Sequence, residues 1–172
     1  MKSVMWFDHF VSPLGGLLLG SDGEALTGAW FDGQRYHPSM GAEWQRRSDL
    51  PILQSAAREL AEYFAGERTE FELALAPSGT SFQRSVWRAI ASVPYGETIA
   101  YRDLAERVGQ PRAVRAAGAA TGRNPWSIII PCHRIVGADG ALTGYAGGIE
   151  RKRALLALEG AKLAAAQIRR AA

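Results

Sequence analysis

The chain has 172 residues, 20 Lys and Arg against 17 Asp and Glu, and 47% hydrophobic residues, which excludes a disordered, coiled-coil or collagen-like protein and leaves room for one domain or two small ones. The longest apolar runs, around Leu17 to Leu19 and Ile128 to Ile130, fall far short of the roughly 20 residues that cross a bilayer. Asp8 and His9 interrupt the apolar stretch behind Lys2, and no small-residue cleavage site follows, so the reading is a cytoplasmic chain with no secretory signal and no membrane partner. A single cysteine, Cys132, excludes an internal disulfide, and with only three scattered histidines, His9, His37 and His133, neither a metal site nor another cofactor is expected.

The stretch Ala76-Pro77-Ser78-Gly79-Thr80 has the composition of a linker. Before it lie six bases and eleven acids, a net charge of −5; after it lie fourteen bases and six acids, a net of +8. Residues 1–76 therefore read as an N-terminal α/β domain, 77–80 as the linker and 81–172 as a C-terminal domain. The bases of the second half are nearly all arginine, the side chain that pairs bidentately with phosphate; on charge alone they read either as the partner of a polyanion or as a solvated basic face.

In chain order, Val4 to Phe7, Leu17 to Leu19 and Leu26 to Phe31 are apolar runs separated by Ser12-Pro13-Leu14-Gly15-Gly16, Asp22-Gly23 and Asp32-Gly33, the pattern of an antiparallel meander. From Pro51 to Phe64 apolar residues recur at helical spacing, with Gly66 as the stop. Phe71 and Leu73, alternating with Glu70 and Glu72, predict one further strand. In the second half, Ser81 to Ile90 reads as a capped helix ended by Pro94 and Gly96. Tyr101 to Val108, a turn at Gly109-Gln110-Pro111, and a helix from Arg112 to Thr121 spell helix-turn-helix. The last of these carries Ala113, Ala116, Ala117, Gly118, Ala119 and Ala120; so bare a helix either packs tightly on a neighbour or enters a narrow groove, with Arg115 reaching into the duplex. The Ala-rich, Arg-tipped tail after Leu163 is expected to fray.

The run Asn124-Pro125-Trp126-Ser127-Ile128-Ile129-Ile130-Pro131-Cys132-His133-Arg134-Ile135-Val136 carries the chemistry. Proline fixes the backbone before the thiol, flanking apolar residues bury it, and His133 is the nearest base able to take its proton. Adjacent side chains point apart, so a turn or a water has to connect them. A lone cysteine is more often a small buried hydrophobe than a nucleophile.

Pro131-Cys132-His133-Arg134-Ile135, together with Asn124-Pro125, Thr143-Gly144-Tyr145-Ala146-Gly147-Gly148 and Leu158-Glu159-Gly160, resembles the O6-alkylguanine-DNA alkyltransferase family, the methylated-DNA–protein-cysteine methyltransferases. The likeness is strong over the second half and, over the first, one of size and strand-then-helix layout. It implies an α/β (α+β) protein with a ribonuclease H-like N-terminal domain, a small antiparallel sheet with a helix, and a mostly helical, winged helix-turn-helix-like C-terminal domain.

The resemblance also implies a reaction and its residues. Cys132 accepts the alkyl group of O6-alkylguanine, and less well of O4-alkylthymine, once per molecule and irreversibly. His133 is the base, through a water, and Glu159 orients it. Tyr101 crowds the 3′ phosphate so that the nucleotide flips out, and gives a proton to the departing guanine. Arg115 fills the vacated stack, and Ala113, Ala116, Tyr101 and Arg134 contact double-stranded DNA from the minor groove. Asn124, Trp126, Ile135, Tyr145, Ala146, Gly147 and Gly148 shape the guanine pocket. The protein is expected as a monomer that cooperates along DNA.

Departures from the family pattern matter too. No cysteine of the first half can hold the zinc that some members bind, Ala146 lacks a hydroxyl for guanine O6, and with Cys132 alone a second-cysteine transcription switch is not expected. Two rivals differ in class. A DNA-binding module without chemistry leaves the Cys-His pair idle, and a cysteine hydrolase fits poorly with so basic a half.

Overall fold

A computed structural model describes residues 2–161; the tail after Leu163 lies outside them. The chain divides into two compact units, one of residues up to Ser78 with Pro125–Ile129, the other of Gly79–Asn124 with the residues from Ile130 onward. No helix among the described residues is long and apolar enough to cross a membrane.

In the first unit the turn residues close a meander of β1 (Met5–Ser12), β2 (Gly15–Ser21) and β3 (Leu26–Phe31), whose neighbours pair antiparallel. A short strand with no apolar pattern of its own, β4 (Trp44–Arg46), adds in parallel to β1, for a sheet order β3-β2-β1-β4. Helix α1 (Pro51–Phe64) starts on a proline, which needs no partner for its missing N–H, and packs its Leu53, Ala56, Leu60 and Tyr63 on the sheet. Burial of a side chain such as Leu17, Leu19 or Leu60, each fully enclosed, contributes about 1.5–3 kcal/mol.

The strand expected at Phe71 and Leu73 does not form. The Glu59 carboxylate takes the N–H of Glu72 at 2.7 Å and Arg68 donates to the Glu70 carbonyl at 2.8 Å, so side chains occupy backbone groups that a ladder would need. Pairing is confined to one parallel bridge, Leu26 to Leu75. The other edge of β3 receives Pro125–Ile129, a segment assigned by the sequence analysis to the second domain. Ala29 donates to the Pro125 carbonyl at 2.8 Å and accepts from the Ser127 N–H at 2.9 Å.

The second unit begins with α2 (Ser81–Ala91), capped as its sequence suggests: Thr80 Oγ1 accepts from the Gln83 N–H at 3.1 Å, and Gln83 Oε1 from the Thr80 N–H at 2.9 Å. β5 (Ile99–Ala100) leads directly into α3 (Tyr101–Arg107), and α4 (Val114–Gly122) follows the turn. α4 starts two residues later than the periodicity predicts, because the Ala113 N–H closes on the Gln110 carbonyl at 2.9 Å around Pro111, a turn in which proline presets the second position. Trp87 Nε1 donates to the Ala120 carbonyl at 2.8 Å and pins α2 to α4. Then come a single 3-10 turn at Cys132–Arg134, β6 (Ile135–Val136) in parallel with β5, and α5 (Ile149–Leu158). The mixed α/β architecture, with a small sheet and helix in one unit and a helical second unit, is the expected fold class.

The cross-strand pair Gly20 and Gly28 makes a floor for the Trp30 ring, and a Cβ on Gly28 would overlap that ring. Gly28→Ala is expected to cost about 1–3 kcal/mol through this overpacking. Gly122→Ala, in open space at a helical position, is expected to be neutral or stabilising by about 0.5–1 kcal/mol. Urea unfolding of the two variants checks both signs.

Candidate active site

Two local features present Cys132. The 3-10 turn is closed by the Arg134 N–H on the Pro131 carbonyl at 2.9 Å, and it turns consecutive side chains in different directions, so Cys132 and His133 need not share a face. Asn124 closes the base of the segment before it: its Nδ2 donates to the Ile130 carbonyl at 2.8 Å and to Cys132 Sγ at 3.3 Å. Between them Ile128 has φ +73° and is buried, a backbone conformation that costs a β-branched residue about 1–2 kcal/mol. Burial pushes the Cys132 thiol above its ordinary pKa, against the opposing pull of the Asn124 amide and of the Lys152 charge.

Behind the thiol lies a buried ionic cluster. His133 Nε2 stands 2.7 Å from Glu159 Oε2, both side chains fully enclosed. A carboxylate only accepts, so Nε2 donates and Nδ1 keeps its lone pair. Nδ1 is itself a buried atom with no hydrogen-bond partner. Burial lowers the imidazole pKa, the Glu159 carboxylate opposes that, and Arg134 and Lys152 reinforce it, so the resting ring is neutral. Glu159 caps the end of α5 and is also gripped by Arg134, Nε to Oε1 at 2.8 Å and Nη2 to Oε2 at 3.1 Å, and by the Gly96 N–H at 3.3 Å. Gly96 has φ +79°, and a Cβ there would lie 3.1 Å from the Glu159 carbonyl oxygen, so glycine is required both for the turn and for the approach.

On the other side of the thiol, the parallel pairing of β5 with β6 sets Tyr101, the first residue of α3, beside the chain that follows Cys132. Its phenol lies 3.4 Å from the Gly144 carbonyl and shares a hydrogen bond with the Thr143 side chain; burial raises its pKa, so it holds its proton. Lys152 was not expected here. It is fully buried, its Nζ donates to the Ile135 carbonyl at 2.6 Å and the Thr143 carbonyl at 3.1 Å, and it stands 6.0 Å from the Tyr101 ring centre. Burial lowers its pKa to about 8, with Cys132 acting in the opposite sense, leaving an ammonium at neutral pH. The signal in the sequence is a lysine spaced at three and four residues from Leu155 and Leu156, on the face that α5 buries.

Tyr101 and Lys152 thus tether Thr143–Gly144, the start of the loop that continues through Tyr145, Ala146, Gly147 and Gly148 into α5, with the Gly148 N–H on the Tyr145 carbonyl at 2.9 Å. Ile135 is buried in β6. α4 keeps Ala117, Ala120 and Thr121 inward and leaves Arg115, Ala116 and Ala119 exposed, while Ala113 sits half-buried just before it. A Cβ on Gly118 would lie 3.7 Å from the Tyr101 ring, so the bare helix serves close packing on one face and a smooth exposed surface on the other.

Two expected site residues are elsewhere. Arg134 is no DNA contact: it is buried, its fork is spent on Glu159, its Nη1 donates to the Val93 carbonyl at 2.6 Å, and it lies over the Tyr95 ring. Trp126 is buried within the first unit, where Nε1 donates to the Leu26 carbonyl at 2.8 Å. Among the described residues no three His, Cys, Asp or Glu side chains group as a metal site would require.

Comparison with known proteins gives this geometry a family. Residues 7–77 match the model of the 6-O-methylguanine DNA methyltransferase ribonuclease-like domain, and residues 81–161 that of its DNA binding domain. A Haemophilus influenzae protein named methylated-DNA–protein-cysteine methyltransferase is 44% identical over 91% of this chain and 87% of its own. A Mycobacterium bovis protein of the same name is 49% identical over 86% and 88%. The crystal structure of Mycobacterium tuberculosis OGT in complex with DNA superposes with a TM-score of 0.85 at 47% identity, over 90% of this chain and 92% of that one. The chain belongs to the 6-O-methylguanine-DNA methyltransferase family.

Proposed function

We propose that this protein repairs DNA by moving the alkyl group of O6-alkylguanine onto Cys132, one group per molecule. The observation that carries this reading is the buried Glu159–His133 pair next in sequence to Cys132: a carboxylate holds Nε2–H, the lone pair of Nδ1 remains in a buried ring, and the neighbouring thiol is buried and un-ionised. The names of the relatives and the DNA-bound family structure support it.

In this mechanism Nδ1 takes the Cys132 proton through a water as sulfur attacks the alkyl carbon. The S–C bond forms, the C–O6 bond breaks with its electron pair passing to guanine, and Tyr101, held protonated by burial, supplies a proton to the departing base. The products are neutral guanine and an S-alkylcysteine, with His133 left as imidazolium and Tyr101 as tyrosinate, equal and opposite charges that cancel when the proton gained by one returns to the other through solvent. A thioether is not displaced by thiols, which makes the reaction stoichiometric.

The target carbon is inaccessible inside a duplex, so the nucleotide must leave the stack, at a cost of a few kcal/mol. The net charge of +8 after the linker offsets this through phosphate contacts. The exposed face of α4 would enter the minor groove with Arg115 in the vacated stack, flanked by Ala113 and Ala116. The Tyr145–Gly148 loop with Ile135 and Asn124 would read the extruded guanine. Lys152 would favour the thiolate as it forms.

Intact mass and peptide mapping after incubation with a duplex carrying one O6-methylguanine test the reading. One methyl group on the Cys132 peptide, saturating at one per chain and absent in Cys132→Ala, is expected; tight lesion binding without mass gain would refute transfer. Tyr101→Phe is expected to slow methyl transfer by about 10²-fold while duplex affinity changes little. Arg115→Ala is expected to weaken lesion binding about tenfold, or roughly 1.4 kcal/mol.

A further inference from the structure

We propose that Arg134 is a positioning residue of the alkyl transfer: by occupying the Glu159 carboxylate with its fork, it keeps His133 neutral, with Nε2–H on Glu159 and Nδ1 open to the Cys132 proton. The inference rests on the transfer reading above and adds a residue that touches neither thiol nor base.

The geometry is specific. Arg134 donates from Nε to one oxygen of Glu159 and from Nη2 to the other, at 2.8 and 3.1 Å, the bidentate arrangement a lysine cannot reproduce. The third nitrogen, Nη1, is anchored on the Val93 carbonyl at 2.6 Å, and the guanidinium stands 5.7 Å from the Tyr95 ring centre. The fork is therefore fixed from outside the relay, and it fixes the carboxylate in turn. The Gly96 N–H on Oε1 completes the set, and His133 approaches Oε2.

Charge gives this arrangement its consequence. A fully buried imidazole in contact with an unshared carboxylate tends to hold a proton and form an ion pair, because the opposite charge favours the cation. An imidazolium cannot act as a base. Arg134 neutralises Glu159, so the carboxylate orients His133 without protonating it. The charged groups that act on His133 are Glu159 at the end of α5, Lys152 within α5 and Arg134 in the turn, with the un-ionised Cys132 next to it in the chain. Glu159 alone among the three charged ones attracts a proton to the ring, and Arg134 alone of the two cations is bonded to Glu159 in the interactions that define the cluster.

The test is a 15N titration of the His133 imidazole in DNA-free protein, paired with single-turnover methyl transfer across pH. Three forms are compared: wild type, Arg134→Lys and Arg134→Gln. In wild type the ring is expected neutral at neutral pH as the Nε2–H tautomer; an imidazolium there overturns the proposal. In Arg134→Gln the titration midpoint is expected to rise by about one unit or more, a tenfold gain in proton affinity. Transfer at neutral pH is expected to fall about tenfold and to recover as pH is raised. Arg134→Lys, which keeps the charge and is less disruptive to folding, is expected to fall between. A rate lost equally at all pH values with an unmoved His133 titration, in protein that melts cooperatively, would make Arg134 only a strut to Val93. Failure of wild type to transfer methyl would refute the transfer reading and leave the titration arms standing as the test of Arg134.

Discussion

The site is organised around one buried carboxylate. The Glu159 side chain is out of contact with water, and an uncompensated charge there would be prohibitive; it is met by donors, the Arg134 fork, the Gly96 N–H and His133 Nε2. These donors come from two separate parts of the second unit, the turn before β5 and the Cys132–Arg134 turn, and meet the carboxylate at the end of α5. Satisfying one side chain therefore draws together the pieces that a thiol-based transfer needs. A buried ion pair contributes little net stability; its value here lies in fixing a tautomer.

A second constraint acts on the thiol itself. The chain between Asn124 and Ile130 is tied to the first unit by backbone bonds between Ala29, Pro125 and Ser127, and closed at its base by the Asn124 amide. Cys132 follows two residues later, with the same amide on its sulfur. The positive φ of Ile128 shows that the path is imposed by these ties rather than by local preference.

Much of this was legible in the residues. The meander, α1, the capped α2 and the helix-turn-helix all follow from periodicity and turn chemistry that act locally, and Cys132, His133, Glu159 and Tyr101 follow from the resemblance. What escaped depended on distant partners. β4 is three residues long and exists because β1 offers an edge. The Phe71–Leu73 alternation is that of a strand, yet Glu59 and Arg68 claim its backbone. An arginine in a basic half looks like a phosphate contact until Glu159 is seen to hold it, and Trp126 looks like a pocket wall until its indole is found on Leu26. Lys152 breaks the apolar stripe of α5, which hides both the helix and the buried ammonium it carries.

The central claim is that Glu159 makes His133 a base for Cys132. Rapid-quench measurement of single-turnover methyl transfer by Glu159→Gln, at saturating O6-methylguanine duplex, tests it most directly. The account predicts a rate lower by about 10²–10⁴-fold with duplex affinity retained. A rate equal to wild type in the folded variant would contradict it, and would place activation of the thiol elsewhere in the site.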